Sequence, residues 1–325
     1  MADTEVLTGD AATVKRWATK LWQEMPHEIY WGKMMGEDDK SCIQVKRDLE
    51  GVAGDQLTYT LQRKLSGAGV TGDAVLEGNE EQLVWYSDQV TLDQVRNAVR
   101  LKGRLSERRT AFDQRMSAKN TLKFWLAEYI DDDIFTQFDS SPTSVIFGGS
   151  AVSTATIDST STLTLAKIDA AVAKARKASP KIWPVKVDNR DYYVLCMHTD
   201  VEYDVRQSTA WQTHQENAGP RDYGDNQLFS GGMGVYAGVV LHSHEKVPVA
   251  TNYGSGADQP GASNMFLGRQ AGLFAWGRRP EWWEKEVDYG ARVGFAIGAI
   301  WDFKKAVFNA ADNAYIAIRT FRTNN

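Results

Sequence analysis

A chain of 325 residues with a formal net charge of −5 and a pI near 5.6 lacks the basic balance expected of a tight nucleic-acid binder. Its 42% hydrophobic and 24% charged content is that of an ordinary globular protein, long enough for one large or two modest domains. Two cysteines, Cys42 and Cys196, cannot make a disulfide framework or a paired-cysteine zinc site, and no apolar run is long enough to span a bilayer. The expected setting is a reducing cytosol. Eleven tryptophans hint at surfaces that meet other surfaces.

Residues 1–9 are polar. Asp10 reads as an N-cap for an amphipathic helix on which Val14, Trp17, Ala18, Leu21, Trp22 and Met25 recur every three or four residues, ending at Pro26. Residues 27–50 read as an extended arm anchored by His27, Tyr30, Trp31 and Ile43, or alternatively as a helix folded back on its own domain. From Asp55 the period becomes two: Leu57, Tyr59 and Leu61 alternate with Thr58, Thr60 and Gln62, a strand with one apolar face. The glycine-rich SGAGVTGDAVLEGNE follows as a long loop, and a return strand carries Leu83 and Trp85. A two-stranded hairpin of this kind is marginal alone in water and needs a partner surface.

The stretch 105–138 contains no Gly or Pro and is expected to form one helix starting at Ser106, about 50 Å long. Its first half is polar nearly all round, with Ala111, Phe112, Met116 and Ala118 as its apolar share; its second half carries Leu122, Trp125, Leu126, Tyr129, Ile130 and Ile134 at helical spacing. Residues 139–164, rich in Ser, Thr and Gly, read as a linker. Leu165, Ile168, Ala171, Val172 and Ala175 mark a short helix, YYVLCMH at 192–198 a buried strand, and 200–216 a helix capped by Asp200. GPRDYGDNQ is a loop, and strands are expected within 231–248, at 271–277, at 291–309 and at 314–321. Hairpin, long helix, then mixed helices and strands make an α+β chain.

Candidate chemistry is thin. His242 and His244 could share one face of a strand and meet one ion, but a third ligand is missing nearby, and two solvent-facing or hydrogen-bonded histidines are the simpler reading. Gly231-Gly232-Met233-Gly234 leads into a strand, whereas a phosphate loop leads into a helix. Asp131-Asp132-Asp133 reads as a solvated face, with a cation or a neighbour's basic residues as alternatives. Cys42 lies in a polar arm and Cys196 in a core strand, with no support for a nucleophile.

GDQLTYTLQRKLSGAGVTGDAVLEGNEE, VRLKGRLSERRTAFDQR, GVYAGVVLHSHEKVP and WWEKEVDYGARVGFAIGAIWDFKKAVFN resemble the major capsid proteins of tailed bacteriophages, in particular the family typified by podophages with a giant virion RNA polymerase. The resemblance runs from about Gly54 to Phe321. It implies the HK97-like capsid fold: an N-terminal arm at 1–54, an extended E-loop hairpin at 55–88, a P-domain strand and spine helix at 89–144, an A-domain at 145–275 and a C-terminal return through the P-domain at 276–325.

The implied function is a non-enzymatic shell. Copies assemble as pentamers and hexamers into an icosahedral virion head enclosing double-stranded DNA, built in the host bacterial cytoplasm. Implied partners are a separate scaffolding protein (the hairpin starts too early to leave room for a fused one), a portal, a decoration or cement protein, and packaged DNA contacted weakly and non-specifically. No membrane, metal or cofactor is implied, and no crosslink through Lys64 is expected. Subunit contacts are expected at Trp17, Leu21, Trp22, Lys64, Gly67, Gly69, Gly72, Leu76, Glu77, Trp85, Arg108, Arg109 and Arg115. The alternatives are an encapsulin-like shell of the same fold and a metal-binding enzyme using His242 and His244.

Overall fold

The computed structural model describes residues 29–109, 113–187, 190–217 and 232–323. The expected helix bearing Trp17, Leu21 and Trp22, the anchor His27, and the loop within 218–231 lie outside the described residues. Helices and sheets are both present, as the α+β reading requires. The chain forms two compact units: a smaller one containing Arg96–Glu128 and Pro280–Gly298, and a larger one containing Ile29–Val95, Tyr129–Arg279 and the chain from Ala299 on.

The larger unit is built on a mixed sheet with strands in the order Val145–Phe147, Tyr315–Phe321, Gln259–Leu267, Arg190–Met197, Val239–Ser243 and Gly232–Tyr236. Tyr192 through Met197 are all buried, which is why that strand reads as a continuous apolar run and not as an alternating one. Asn264, a fully buried polar side chain on the neighbouring strand, is satisfied: its amide donates to Ile318 O (3.0 Å) and Thr320 Oγ1 (2.9 Å) and accepts from His198 N (3.3 Å). The helix Leu165–Lys177 buries Leu165, Ile168, Ala171, Val172 and Ala175, the stripe expected of it.

The single helix expected at 200–216 is two, Thr199–Gln207 and Thr209–Asn217. His198, and not Asp200, caps the first; its Nδ1 accepts the Asp200 N–H at 3.1 Å. Ser208 separates the pair because its hydroxyl donates to Val205 O (2.7 Å) and accepts from Trp211 N (3.3 Å), closing one helix and opening the next.

The long helix is also broken. A short helix, Arg104–Arg108, precedes the main one, Gln114–Asp139. Asp113 is the reason: its carboxylate accepts the N–H groups of Arg115 (2.9 Å) and Met116 (3.2 Å), so it works as an N-cap inside what reads as one run. Along the main helix Leu122 and Leu126, then Ile130, Ile134, Phe135 and Phe138, are buried, while Tyr129 and Met116 stay exposed. Four-residue spacing thus gives a narrower buried stripe than the apolar residues alone suggest.

Two long strands, Gly272–Val287 and Arg292–Lys305, form a hairpin that has a part in each unit. The second strand lies within the expected 291–309, whereas the first reads as strand only at 271–277, because Arg278 to Val287 is dense in charge. Its turn holds Asp288, Tyr289 and Gly290 at positive φ (58°, 50° and 80°), and the fully exposed Tyr289 projects from it. In the smaller unit Leu101 N donates to Val293 O (2.9 Å), continuing the course of the strand Asp93–Arg100. In the larger unit Ile43–Lys46 pairs in parallel with Gly272 to Ala275, and with Met35–Gly36 on its other side.

Candidate assembly surfaces

The arm is fixed at its root. Residues Tyr30–Lys33 form a 3-10 turn whose N–H groups at Tyr30 and Trp31 point to the Asp131 carboxylate (2.9 and 3.3 Å). Trp31 is fully buried, its ring 4.9 Å from Phe135 and 5.3 Å from Phe138. The expected anchors Tyr30, Trp31 and Ile43 therefore hold, and the described part of the arm contains no α-helix. The solvated reading of Asp131 does not survive. Asp131 lies on the same helix face as Ile130, Ile134 and Phe135, so it is buried, and burial pushes its carboxyl up to about 6 against the pull of the two N–H groups. Asp132 meets Lys246 at 2.8 Å.

Both histidines of the candidate metal pair lie against this root, His242 buried and His244 half-buried. The His244 ring is 4.4 Å from Tyr30 and 5.1 Å from Phe135, and that of His242 is 6.5 Å from Tyr30. Burial lowers the His244 pKa, which favours a neutral ring stacked in an aromatic cluster. Among the described residues no three His, Cys, Asp or Glu side chains gather as a metal site. Cys42 is buried, contrary to the polar-arm expectation, because it precedes the strand at Ile43 and packs inward with it. Burial raises both thiols, Cys42 and Cys196, to about 12.

The hairpin strands Gln56–Gln62 and Trp85–Thr91 pair antiparallel with Tyr59 opposite Asp88, and no third strand joins them among the described residues. Leu57 and Tyr59 pack with Val90, Leu92, Leu273 and Ala275. Asp88 fastens this base. Its carboxylate accepts from the Tyr59 hydroxyl (2.8 Å), Lys304 Nζ (2.7 Å) and Val307 N (3.4 Å). Burial alone would raise the Asp88 pKa, but the Lys304 and Tyr59 hydrogen bonds hold it below the ordinary carboxylate value. Sequence reading missed this clamp. The signal was an acid on the inward face of a strand, between Tyr86 and Val90 at period two, where a charge needs a partner.

Beyond Trp85 the hairpin leaves its own packing behind, and Leu65, Val75, Leu76, Leu83, Val84 and Trp85 are exposed; Leu76 is 60% and Trp85 57% accessible. Two-stranded pairing ends where Arg63 N donates to Val84 O (2.9 Å). The loop is nevertheless organised. Glu81 accepts the N–H groups of Ser66 and Gly67, both at 2.6 Å, and these bonds hold its carboxyl below the usual range. A Cβ on Gly67 would lie 2.7 Å from the Glu81 carboxylate, a contact that this exposed side chain can relieve by a small shift, whereas Gly69 and Gly72 adopt the positive φ (68° and 69°) that favours glycine. Lys64 and Glu77 are exposed on the same loop. Arg108, Arg109 and Arg115 are exposed on the smaller unit, in a different part of the fold from the hairpin residues they were grouped with.

The profile of the phage capsid protein family matches residues 5–143 and 140–321. The major capsid protein of Pseudomonas phage KPP25 is 26% identical over 357 residues, covering 93% of this chain and 91% of that protein. The chain is similar to the capsid of Ralstonia phage GP4 (TM-score 0.88, 32% identity, 99% of each chain) and to the cyanophage Pam1 capsid asymmetric unit (TM-score 0.85, 25% identity, 100% of each chain). The Helicobacter pylori bacteriophage KHP30 capsid shares the fold at 14% identity (TM-score 0.74, 95% of each chain).

Proposed function

The chain belongs to the phage capsid protein family and is a major capsid protein of HK97-like fold, and from that premise we propose how its copies are joined. The hairpin at 55–88 is an E-loop that lies across the P-domain of the adjacent subunit, which becomes the third partner that two strands need. The P-domain is the strand and spine helix at 89–144 with the return at 276–325, the A-domain is 145–275, and residues 1–54 are an arm. Head-to-tail repetition of this contact closes rings of five and six, and the rings tile an icosahedral head around double-stranded DNA.

One observation carries the reading. The larger unit covers the hairpin base and leaves Leu65, Val75, Leu76, Leu83, Val84 and Trp85 exposed on the extension beyond it. Apolar side chains collected on an arm in this way mark a surface that is covered by another molecule. Lys64, Glu77 and the glycines that shape the loop belong to that contact, and Trp17, Leu21, Trp22, Arg108, Arg109 and Arg115 to neighbouring ones. A separate scaffolding protein, a portal and a decoration protein complete the assembly in the host cytoplasm, and DNA is held weakly inside an acidic container.

Deleting Ser66 to Gly78 tests the role of the hairpin. The expected result is a soluble, folded subunit that forms no shells or rings in negative-stain electron micrographs; normal shells from this variant would remove the E-loop from the account.

A further inference from the structure

The charge along the chain is segregated in a way that the hydrophobic account does not use. From Leu65 to Val95 there are six carboxylates, Asp73, Glu77, Glu80, Glu81, Asp88 and Asp93, and no lysine or arginine. Four are hydrogen-bonded within the subunit, Asp88 to Lys304, Glu81 to Ser66 and Gly67, Glu80 to Gly78 and Asp93 to Gln94. Asp73 and Glu77 stand exposed at the tip beside Val75 and Leu76. The next 28 residues reverse the sign. Residues 96–123 hold nine Lys and Arg against two acids, in a chain whose net charge is −5. One of those acids, Asp113, is used as a helix cap.

The basic residues are exposed and most are mounted on regular structure, although Lys119 is ion-paired with Glu284 at 3.3 Å in its own subunit. Arg96 and Arg100 share the exposed face of the strand Asp93–Arg100. Arg104 and Arg108 are four apart on the short helix, and Arg115, Lys119 and Lys123 are four apart on the long one, a row spanning about 12 Å of helix. A second basic run, 167–191, has seven Lys and Arg against three acids. Several of its charges are occupied: Lys174 donates to Val145 O at 3.0 Å, and the Lys181 ammonium lies 4.5 Å from the Trp183 ring.

We propose that the acidic hairpin tip of one copy docks on the basic run 96–123 of a neighbouring copy, and that this charge match fixes the register of the contact. The inference rests on the reading that the hairpin reaches a neighbour, and it names the surface that receives it. Apolar contact from Leu76 and Trp85 supplies area without direction, whereas opposed charges reject wrong registers and speed encounter. Exposed ion pairs add little to affinity, so the charges act on rate and fidelity of assembly more than on the stability of a finished shell.

The test is a charge exchange in the full-length chain, with shells counted by sedimentation and electron microscopy. Asp73→Lys with Glu77→Lys, and separately Arg108→Glu with Arg109→Glu, should each lower shell yield about tenfold or more. All four together should return the yield to within about twofold of the parent, because the opposed signs are restored. Parental assembly should slow as salt rises from about 0.1 to about 1 M, where the screening length falls from about 10 Å to about 3 Å.

Circular dichroism and gel filtration of unassembled subunits separate misfolding from misassembly. A four-fold variant no better than either pair overturns the proposal. So does rescue of the acidic-tip reversal by Lys177→Glu with Lys181→Glu, and so do normal shells from the arginine reversal that lose only nuclease-protected DNA. Failure of the exchange with the tip deletion still blocking assembly would overturn the charge match alone, and a deletion that assembles would overturn the hairpin reading itself.

Discussion

Asp88→Ala is the perturbation that separates the hairpin from the body that carries it. The carboxylate accepts from Tyr59 and Lys304, at 2.8 and 2.7 Å; in the variant both lose this bond, and Lys304 Nζ keeps only Gln89 O at 3.0 Å. A hydrogen bond to a charged group contributes about 1.5–3 kcal/mol. The Lys304 side chain is 38% exposed, so screening leaves its ion pair at about 1 kcal/mol or less. Together the loss is about 2–3 kcal/mol, and it falls on the joint between hairpin and sheet. Native-state hydrogen exchange on the unassembled subunit reads it directly: amides of Gln56–Gln62 and Trp85–Thr91 should exchange about 30- to 150-fold faster, while those of Arg190–Met197 keep their protection. The same clamp sets a pH dependence. The folded pKa of Asp88 lies below 3.8, so its stabilisation is full above that value and is lost as pH falls through the folded pKa. Hairpin protection unchanged in the variant, or lost equally at Arg190–Met197, would refute the clamp.

Asp131 carries the opposite sign. Its pKa rises from 3.8 to about 6 on folding, so stability from this group is full below 3.8 and declines as pH rises through about 6, by at most about 3 kcal/mol. Asp131→Asn should remove that slope, and urea unfolding of parent and variant from pH 4 to 7 checks it; parallel curves would contradict it. Trp31→Ala empties a fully buried site between Phe135 and Phe138 and should cost about 3–5 kcal/mol, seen as a lower urea midpoint. Cys42 and Cys196, with thiols raised to about 12, should resist alkylation at pH 8 in the native subunit and react at once in denaturant. Rapid native labelling of either would show that the packing around it is open.

Elements that repeat one simple pattern were legible. Leu57, Tyr59 and Leu61 announced a strand because period two with one apolar face has no other use, and Leu165 to Ala175 announced a helix for the same reason at helical period. What failed to show was any feature decided by a single polar side chain. Asp113 and Ser208 interrupt helices by hydrogen-bonding backbone locally, and each looks like an ordinary surface residue in a helical run. Asp131 looked solvated because its neighbours Asp132 and Asp133 share its charge, although its helical phase placed it with Ile130 and Ile134. The strand from Arg278 to Val287 hid behind charge, since strands half exposed at a sheet's end need few apolar residues. Of the assembly surface, the need for a partner could be read from the hairpin; its clamp could not, because Tyr59, Asp88 and Lys304 meet only in the fold.

The central claim is that the hairpin tip of each subunit lies on a different subunit. A photo-crosslinking amino acid placed at Leu76, which is 60% exposed in the single chain, tests it in assembled particles with one irradiation and one denaturing gel. The account predicts a ladder of linked subunits, with peptides from the P-domain of a second copy recovered on the probe. Irradiated shells that run as monomers, with the probe joined only to its own chain, would contradict it.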